Sequence, residues 1–121
     1  MRERQVLIID DEVDIVRLVQ KRIQANGYKV TVYGQGNGAV EVVKQIHPDL
    51  LLLDLHLPQI SGVEIYKAIR EQNELDDIPI VFFSADSALQ DYCIRDLGAQ
   101  GFLTKPFNTN ALLHLVRETM H

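Results

Sequence analysis

The sequence predicts an α/β domain: a doubly wound, five-stranded parallel sheet with five helices on its two faces. Two observations lead there. Five short apolar runs are branched or aromatic and continuous rather than alternating, as strands buried on both faces read. Amphipathic stretches separate them, and strands alternating with helices at this spacing imply right-handed crossovers in one sheet. The length of 121 residues suits a single domain able to bury its own core.

The strand runs are Val6–Ile9, Val30–Val32, Leu50–Leu53, Ile80–Phe83 and the weaker Phe102–Leu103. The first helix spans Glu12 to Asn26, where Val13, Val16, Val19 and Ile23 recur at helical spacing and Gly27 supplies a stop. From Asn37 to Ile46, Val40, Val43 and Ile46 form the next stripe. Val63, Ile65, Tyr66 and Ile69 mark the third helix; Leu89, Cys93 and Leu97 mark a fourth, stopped by Gly98. Asn108 is placed to cap a last helix carrying Leu112, Leu115 and Val116. For this length the flavodoxin-like strand order 2-1-3-4-5 is expected. The chain ends where the fifth helix is expected to end, so no output domain is expected within these residues.

Composition excludes several classes. There are 17 acidic against 12 basic residues, a net charge of -5, which argues against nucleic-acid binding, since phosphate backbones are held by clustered Lys and Arg. No apolar run approaches the roughly 18 residues that span a membrane, and Met1 to Gln5 is too polar for a signal peptide. The single cysteine, Cys93, is expected as a small core residue in a reducing compartment, so a cytoplasmic location is expected.

In doubly wound sheets, sites form at the carboxyl ends of the strands, near the switch point of the strand order. Asp10, Asp11 and Glu12 follow the first run, Asp54 the third, Ser84 the fourth and Lys105 the fifth. Singly, each has a plain reading. Asp10 or Asp11 suits a helix N-cap, Asp54 a turn, Ser84 a bond to its own loop backbone, Lys105 a solvated surface. Together they gather on one edge, and their charges complement one another only if something binds there. Crowded carboxylates are relieved by a hard divalent cation, and Mg²⁺ prefers such oxygens. The metal and Lys105 would then offset an incoming phosphoryl group, with Asp54 as nucleophile and the Ser84 hydroxyl on a phosphoryl oxygen.

The ordered set of pieces resembles the receiver domain of two-component response regulators over essentially the whole chain, residues 1–121. The pieces are Asp10-Asp11-Glu12, Asp54 through Pro58 to Gly62, Ser84-Ala85, Gly98-Ala99 and Phe102 through Lys105-Pro106-Phe107. The resemblance implies that Asp54 is the phosphoacceptor. Asp11 is then a direct Mg²⁺ ligand with Asp10 in support, and the His56 backbone carbonyl joins Asp54 on the metal; Mn²⁺ is an expected substitute. Ser84 and Lys105 contact the phosphoryl group, Phe102 is the switch aromatic, and Pro58 and Gly62 shape the loop after Asp54. The Lys105–Pro106 bond is expected to be cis. Ser84 stands where many members carry Thr, and His56 and Asp86 hold positions that vary in the family.

The implied donor is a sensor histidine kinase or phosphotransfer protein. The implied listener is an effector protein or domain that reads the face of helix four, strand five and helix five. The domain is then a phosphoacceptor that assists its own phosphorylation and dephosphorylation rather than a turnover enzyme. An aspartate-nucleophile phosphatase would place a second acid two residues after Asp54, where His56 stands, and would need a cap segment. A flavodoxin would need a hydroxyl- and glycine-rich loop where Asp10 and Asp11 stand. A degenerate receiver working as a phosphorylation-independent interaction module would have lost Asp54, Asp11 or Lys105; all are present.

Overall fold

The computed structural model describes residues 3–120. Five strands, β1 (Gln5–Ile9), β2 (Lys29–Tyr33), β3 (Leu50–Asp54), β4 (Ile80–Ser84) and β5 (Gly101–Thr104), form one parallel sheet in the order β2-β1-β3-β4-β5. The helices α1 (Val13–Gln24), α2 (Ala39–Ile46), α3 (Gly62–Arg70) and α4 (Thr109–Thr119) are regular. Segment 87–96, the fourth helical connection, is a 3-10 turn (Ser87–Leu89) followed by a π-helical turn (Tyr92–Asp96), and a short 3-10 turn (Asn73–Leu75) follows α3. The flavodoxin-like order and the five helical segments are as expected from the sequence.

Alternate side chains of the central strands feed two cores, which is why their apolar runs are unbroken. On one face Leu7, Ile9, Leu51, Leu53, Ile80 and Phe82 pack with Val43 of α2, Ile65 of α3 and Cys93. On the other, Val6, Ile8, Leu50, Leu52, Val81 and Phe83 pack with Val19 of α1 and Leu112 of α4. β2 and β5 are the edge strands, and only part of each is buried, so their sequences signal strand more weakly. Truncating a central residue such as Leu52 to Ala leaves a void and costs about 2–5 kcal/mol.

Three boundaries differ from the sequence expectation. Asp10 and Asp11 do not cap α1; its N-cap is Glu12, which makes no side-chain cap bond. α2 starts at Ala39 rather than Asn37, because Gly38 is left-handed at φ 81 and cannot extend the helix backward. The fourth helix is not a regular α-helix. Its π-turn is closed by Leu97 N–H donating to Tyr92 O at 3.0 Å, an i→i+5 bond. Elsewhere local chemistry acts as read: Asn108 Oδ1 accepts from the N–H of Asn110 (2.7 Å) and Ala111 (3.3 Å), and Cys93 is fully buried. Among the described residues no helix is long and apolar enough to cross a membrane.

Candidate phosphoacceptor site

The strand ends place the acidic residues and the lysine. Asp10 follows β1, Asp54 closes β3, Ser84 closes β4, and Lys105 follows β5. The register pairs Ile9 with Leu53, Asp54 with Phe83, and Ser84 with Thr104, so these groups stand at one level along the carboxyl edge. All four are buried: Asp10 is 2%, Asp54 4%, Ser84 1% and Lys105 8% exposed. Buried charges persist only when paired or hydrogen-bonded.

The two oxygens of Asp10 have separate tasks. Oδ1 accepts the Glu12 N–H at 2.9 Å and folds the turn into α1, while Oδ2 accepts from Lys105 Nζ at 2.9 Å. Lys105 also donates to Glu12 Oε1 at 2.7 Å and lies 3.8 Å from Asp54 Oδ1. Its ammonium sits 5.1 Å from the centroid of the Phe83 ring, a contact that favours the cation. Burial alone would lower the Lys105 pKa; the bonds to Glu12 and Asp10 outweigh it and hold the ammonium above its ordinary value.

Asp54 is the perturbed carboxyl. Its Oδ1 accepts the His56 N–H at 3.3 Å. Burial, then the charge of Asp10, push its pKa up to about 6; Lys105 and the His56 N–H pull the other way, and Asp11 adds to the rise. A carboxyl held between forms near neutrality marks a functional position when a charge partner faces it.

The loop after Asp54 turns back on itself. Ile60 N–H donates to Pro58 O at 2.8 Å, Gln59 is left-handed at φ 73, and Gly62 N–H donates to Leu55 O at 2.8 Å. Gly62 lies directly against the Asp54 carbonyl, and a β-carbon there would also stand 2.9 Å from Leu55 Cα. Only glycine fits. Ser84 Oγ accepts the Asp86 N–H at 3.0 Å, the local loop bond anticipated for a serine at a strand end. Above it the exposed His56 Nε2 stands 3.3 Å from Asp86 Oδ2, joining the β3 and β4 loops across the mouth. Phe102 is partly buried on β5 and packs against the core shared with α2 and α3. The Lys105–Pro106 bond is cis, as expected.

Asp10, Glu12 and Asp54 offer carboxylate oxygens within 4.8 Å of one another. Hard oxygen donors so close fit Mg²⁺, which relieves their repulsion. Asp11 is exposed beside this trio, near enough for its charge to reach Asp54. What the sequence reading missed is Glu12 as a direct partner of Lys105. The signal available was weak: an acid at the mouth of α1, adjacent to two others.

A doubly wound parallel sheet carrying a buried aspartate, an acidic trio and a lysine at its carboxyl edge defines a class of phosphoryl-accepting signalling domains. Residues 6–117 match the response regulator receiver domain family, and the chain belongs to it. It is thus a receiver domain of two-component signalling, a family whose members bind Mg²⁺ through such an acidic cluster. Among solved structures it resembles the chemotaxis response regulator CheY4 of Vibrio cholerae, at 28% identity and a TM-score of 0.88, covering 98% of this chain and 99% of that one. It is also similar to a putative response regulator from Chloroflexus aurantiacus, at 25% identity and a TM-score of 0.91, covering 98% of both chains. A sensor protein from Polaromonas sp. matches at 26% identity and a TM-score of 0.86, over 98% of this chain and 97% of that one.

Proposed function

We propose that this receiver, residues 1–121, takes a phosphoryl group onto Asp54 from the phosphohistidine of a sensor kinase or phosphotransfer protein. An Asp54 carboxylate oxygen attacks phosphorus, the P–N bond breaks, and the electron pair leaves with the histidine imidazole. Water later cleaves the acyl phosphate, returning the Asp54 carboxylate and inorganic phosphate. The observation that carries the reading is Asp54 itself: a nearly buried carboxyl with a pKa near 6, 3.8 Å from the Lys105 ammonium.

The divalent cation, when bound, screens the carboxylates and offsets the developing charge on the phosphoryl oxygens. The residues to hold it are Asp11 and Asp54, with the His56 carbonyl and support from Asp10; Mn²⁺ fits the same donors. Lys105, 3.8 Å from Asp54 Oδ1, would offset part of the transferred group's charge. Ser84 gives up the Asp86 N–H and turns its hydroxyl to a phosphoryl oxygen. The β4 loop follows, Phe102 moves inward, and the surface of segment 87–96, β5 and α4 changes for an effector to read. The domain works in the cytoplasm as a switch that catalyses only its own modification.

The test is direct. Acetyl phosphate with Mg²⁺ should add the mass of one phosphoryl group, labile to base and to hydroxylamine, and Asp54→Asn should remain unmodified. Labelling that survives Asp54→Asn refutes the assignment.

A further inference from the structure

This inference rests on Asp54 being the phosphoacceptor. Lys105 has three protons to donate. Asp10 Oδ2 takes one at 2.9 Å and Glu12 Oε1 another at 2.7 Å, while Asp54 Oδ1 at 3.8 Å is beyond hydrogen-bond reach. The buried lysine is thus drawn toward the α1 side, and the shortest of its three contacts is to Glu12.

The two partners of Lys105 differ in freedom. The Asp10 side chain is wholly buried and fixed by its second bond, to the Glu12 N–H. The Glu12 side chain is 52% exposed, against 6% for the lysine it holds. Its backbone is pinned at both ends, the N–H on Asp10 and the C=O accepting Val16 N–H at 3.0 Å. Only the side chain can leave, and it leaves toward water, where a carboxylate is well solvated.

We propose that Glu12 is a positioning residue for phosphoryl transfer: its carboxylate holds Lys105 away from Asp54 in the resting protein and must release it when a phosphoryl group enters. The entering group competes with Glu12 for one ammonium. Asp10 stays bonded throughout and serves as the pivot. Glu12 therefore weakens the binding of any phosphoryl group at Asp54 and sets the threshold for the switched state.

The experiment titrates fluoroberyllate, a phosphoryl mimic, into the protein at saturating Mg²⁺, with binding followed by NMR. Glu12→Gln replaces a charge-assisted bond by a neutral one of roughly half its strength. It should tighten fluoroberyllate about three- to tenfold. Unchanged or weaker affinity overturns the proposal. Because removing any negative charge would help an anion, the same substitution is made in Lys105→Met. There the gain should vanish, since Glu12 acts through the lysine; an equal gain in both backgrounds overturns the proposal. A measurement independent of that background is the exchange of the Lys105 ammonium protons with water in the ligand-free protein. Glu12→Gln should speed it severalfold, and unchanged exchange overturns the proposal as well. The outcome is separable from the parent reading. If acetyl phosphate labels Asp54 of the native protein but Glu12→Gln changes nothing, only the role of Glu12 fails. If Asp54 is not labelled at all, the parent reading fails first.

Discussion

Gly62 lies against the main-chain carbonyl of Asp54, with no room for a β-carbon between them. The first residue of α3 is therefore the back wall of the Asp54 main chain. Gly62→Ala should push the Asp54–Leu55 backbone away, costing about 1–3 kcal/mol for overpacking a fixed main chain. Urea denaturation checks the stability. On the proposed function, labelling by acetyl phosphate should fall further than stability alone explains, because the displaced backbone carries the Asp54 carboxyl with it.

The raised pKa of Asp54 makes stability depend on pH. Its proton is held more tightly in the folded state, at about 6, than at the ordinary value of 3.8. The stabilising contribution is therefore complete below about pH 4 and is lost as pH rises through 6. In chelator, the ionised side chain costs on the order of 3 kcal/mol at pH 7. Asp54→Asn should be more stable than the native protein at pH 7 and should close most of that gap by pH 4. Thermal melts at both pH values, in EDTA, give the answer; a gap that widens on acidification contradicts it.

Ser84 closes its own loop in this state by accepting the Asp86 N–H at 3.0 Å. If it moves to a phosphoryl oxygen, it gains a charge-assisted bond worth about 1.5–3 kcal/mol. In the native protein, fluoroberyllate should shift NMR signals from Asp54 through the β4 loop to Phe102 and α4. In Ser84→Ala the shifts should stay at the acidic edge. Distant shifts that persist without the hydroxyl would show that coupling takes another route.

Arg70 is a structural clamp remote from this edge. Its guanidinium donates to Leu75 O at 3.3 Å, Ile78 O at 2.9 Å and Gln100 Oε1 at 3.3 Å, and lies over the Tyr66 ring at 4.9 Å. Arg70→Ala leaves partly buried carbonyls without a donor and should cost about 1–3 kcal/mol in urea denaturation. Phosphoryl labelling of the folded variant should be unchanged.

The strands were legible because β1, β3 and β4 are covered on both sides, so every residue of Leu50–Leu53 had to be apolar. The chemistry was legible because a parallel sheet puts each strand's following residue on one edge. The irregular geometry of segment 87–96 is not legible for a definite reason. Leu89, Cys93 and Leu97 are spaced for an α-helix, yet a change from i→i+4 to i→i+5 bonding over a single turn leaves no periodic trace. Glu12 was passed over because its bond to Lys105 joins residues 93 positions apart, and neither neighbourhood encodes that distance. Asp11, expected on the metal, stands exposed beside the trio of Asp10, Glu12 and Asp54, close enough for its charge to reach Asp54.

The ion pair of Lys105 with Asp10 bridges 95 positions of sequence. During synthesis, a nascent chain that has completed β4 already carries Asp10, Asp54 and Ser84 but not the cation that faces them. Its carboxylates repel one another, and no lysine ammonium stands beside Asp54. On the proposed function, competence as an acceptor should arrive only when β5 joins the sheet edge and delivers Lys105. A truncated translation product, or a chain nicked in the 87–96 segment so that β5 detaches, should be invisible to a phosphodonor. The last strand of the sheet thus supplies the charge that balances acids laid down by the first and third.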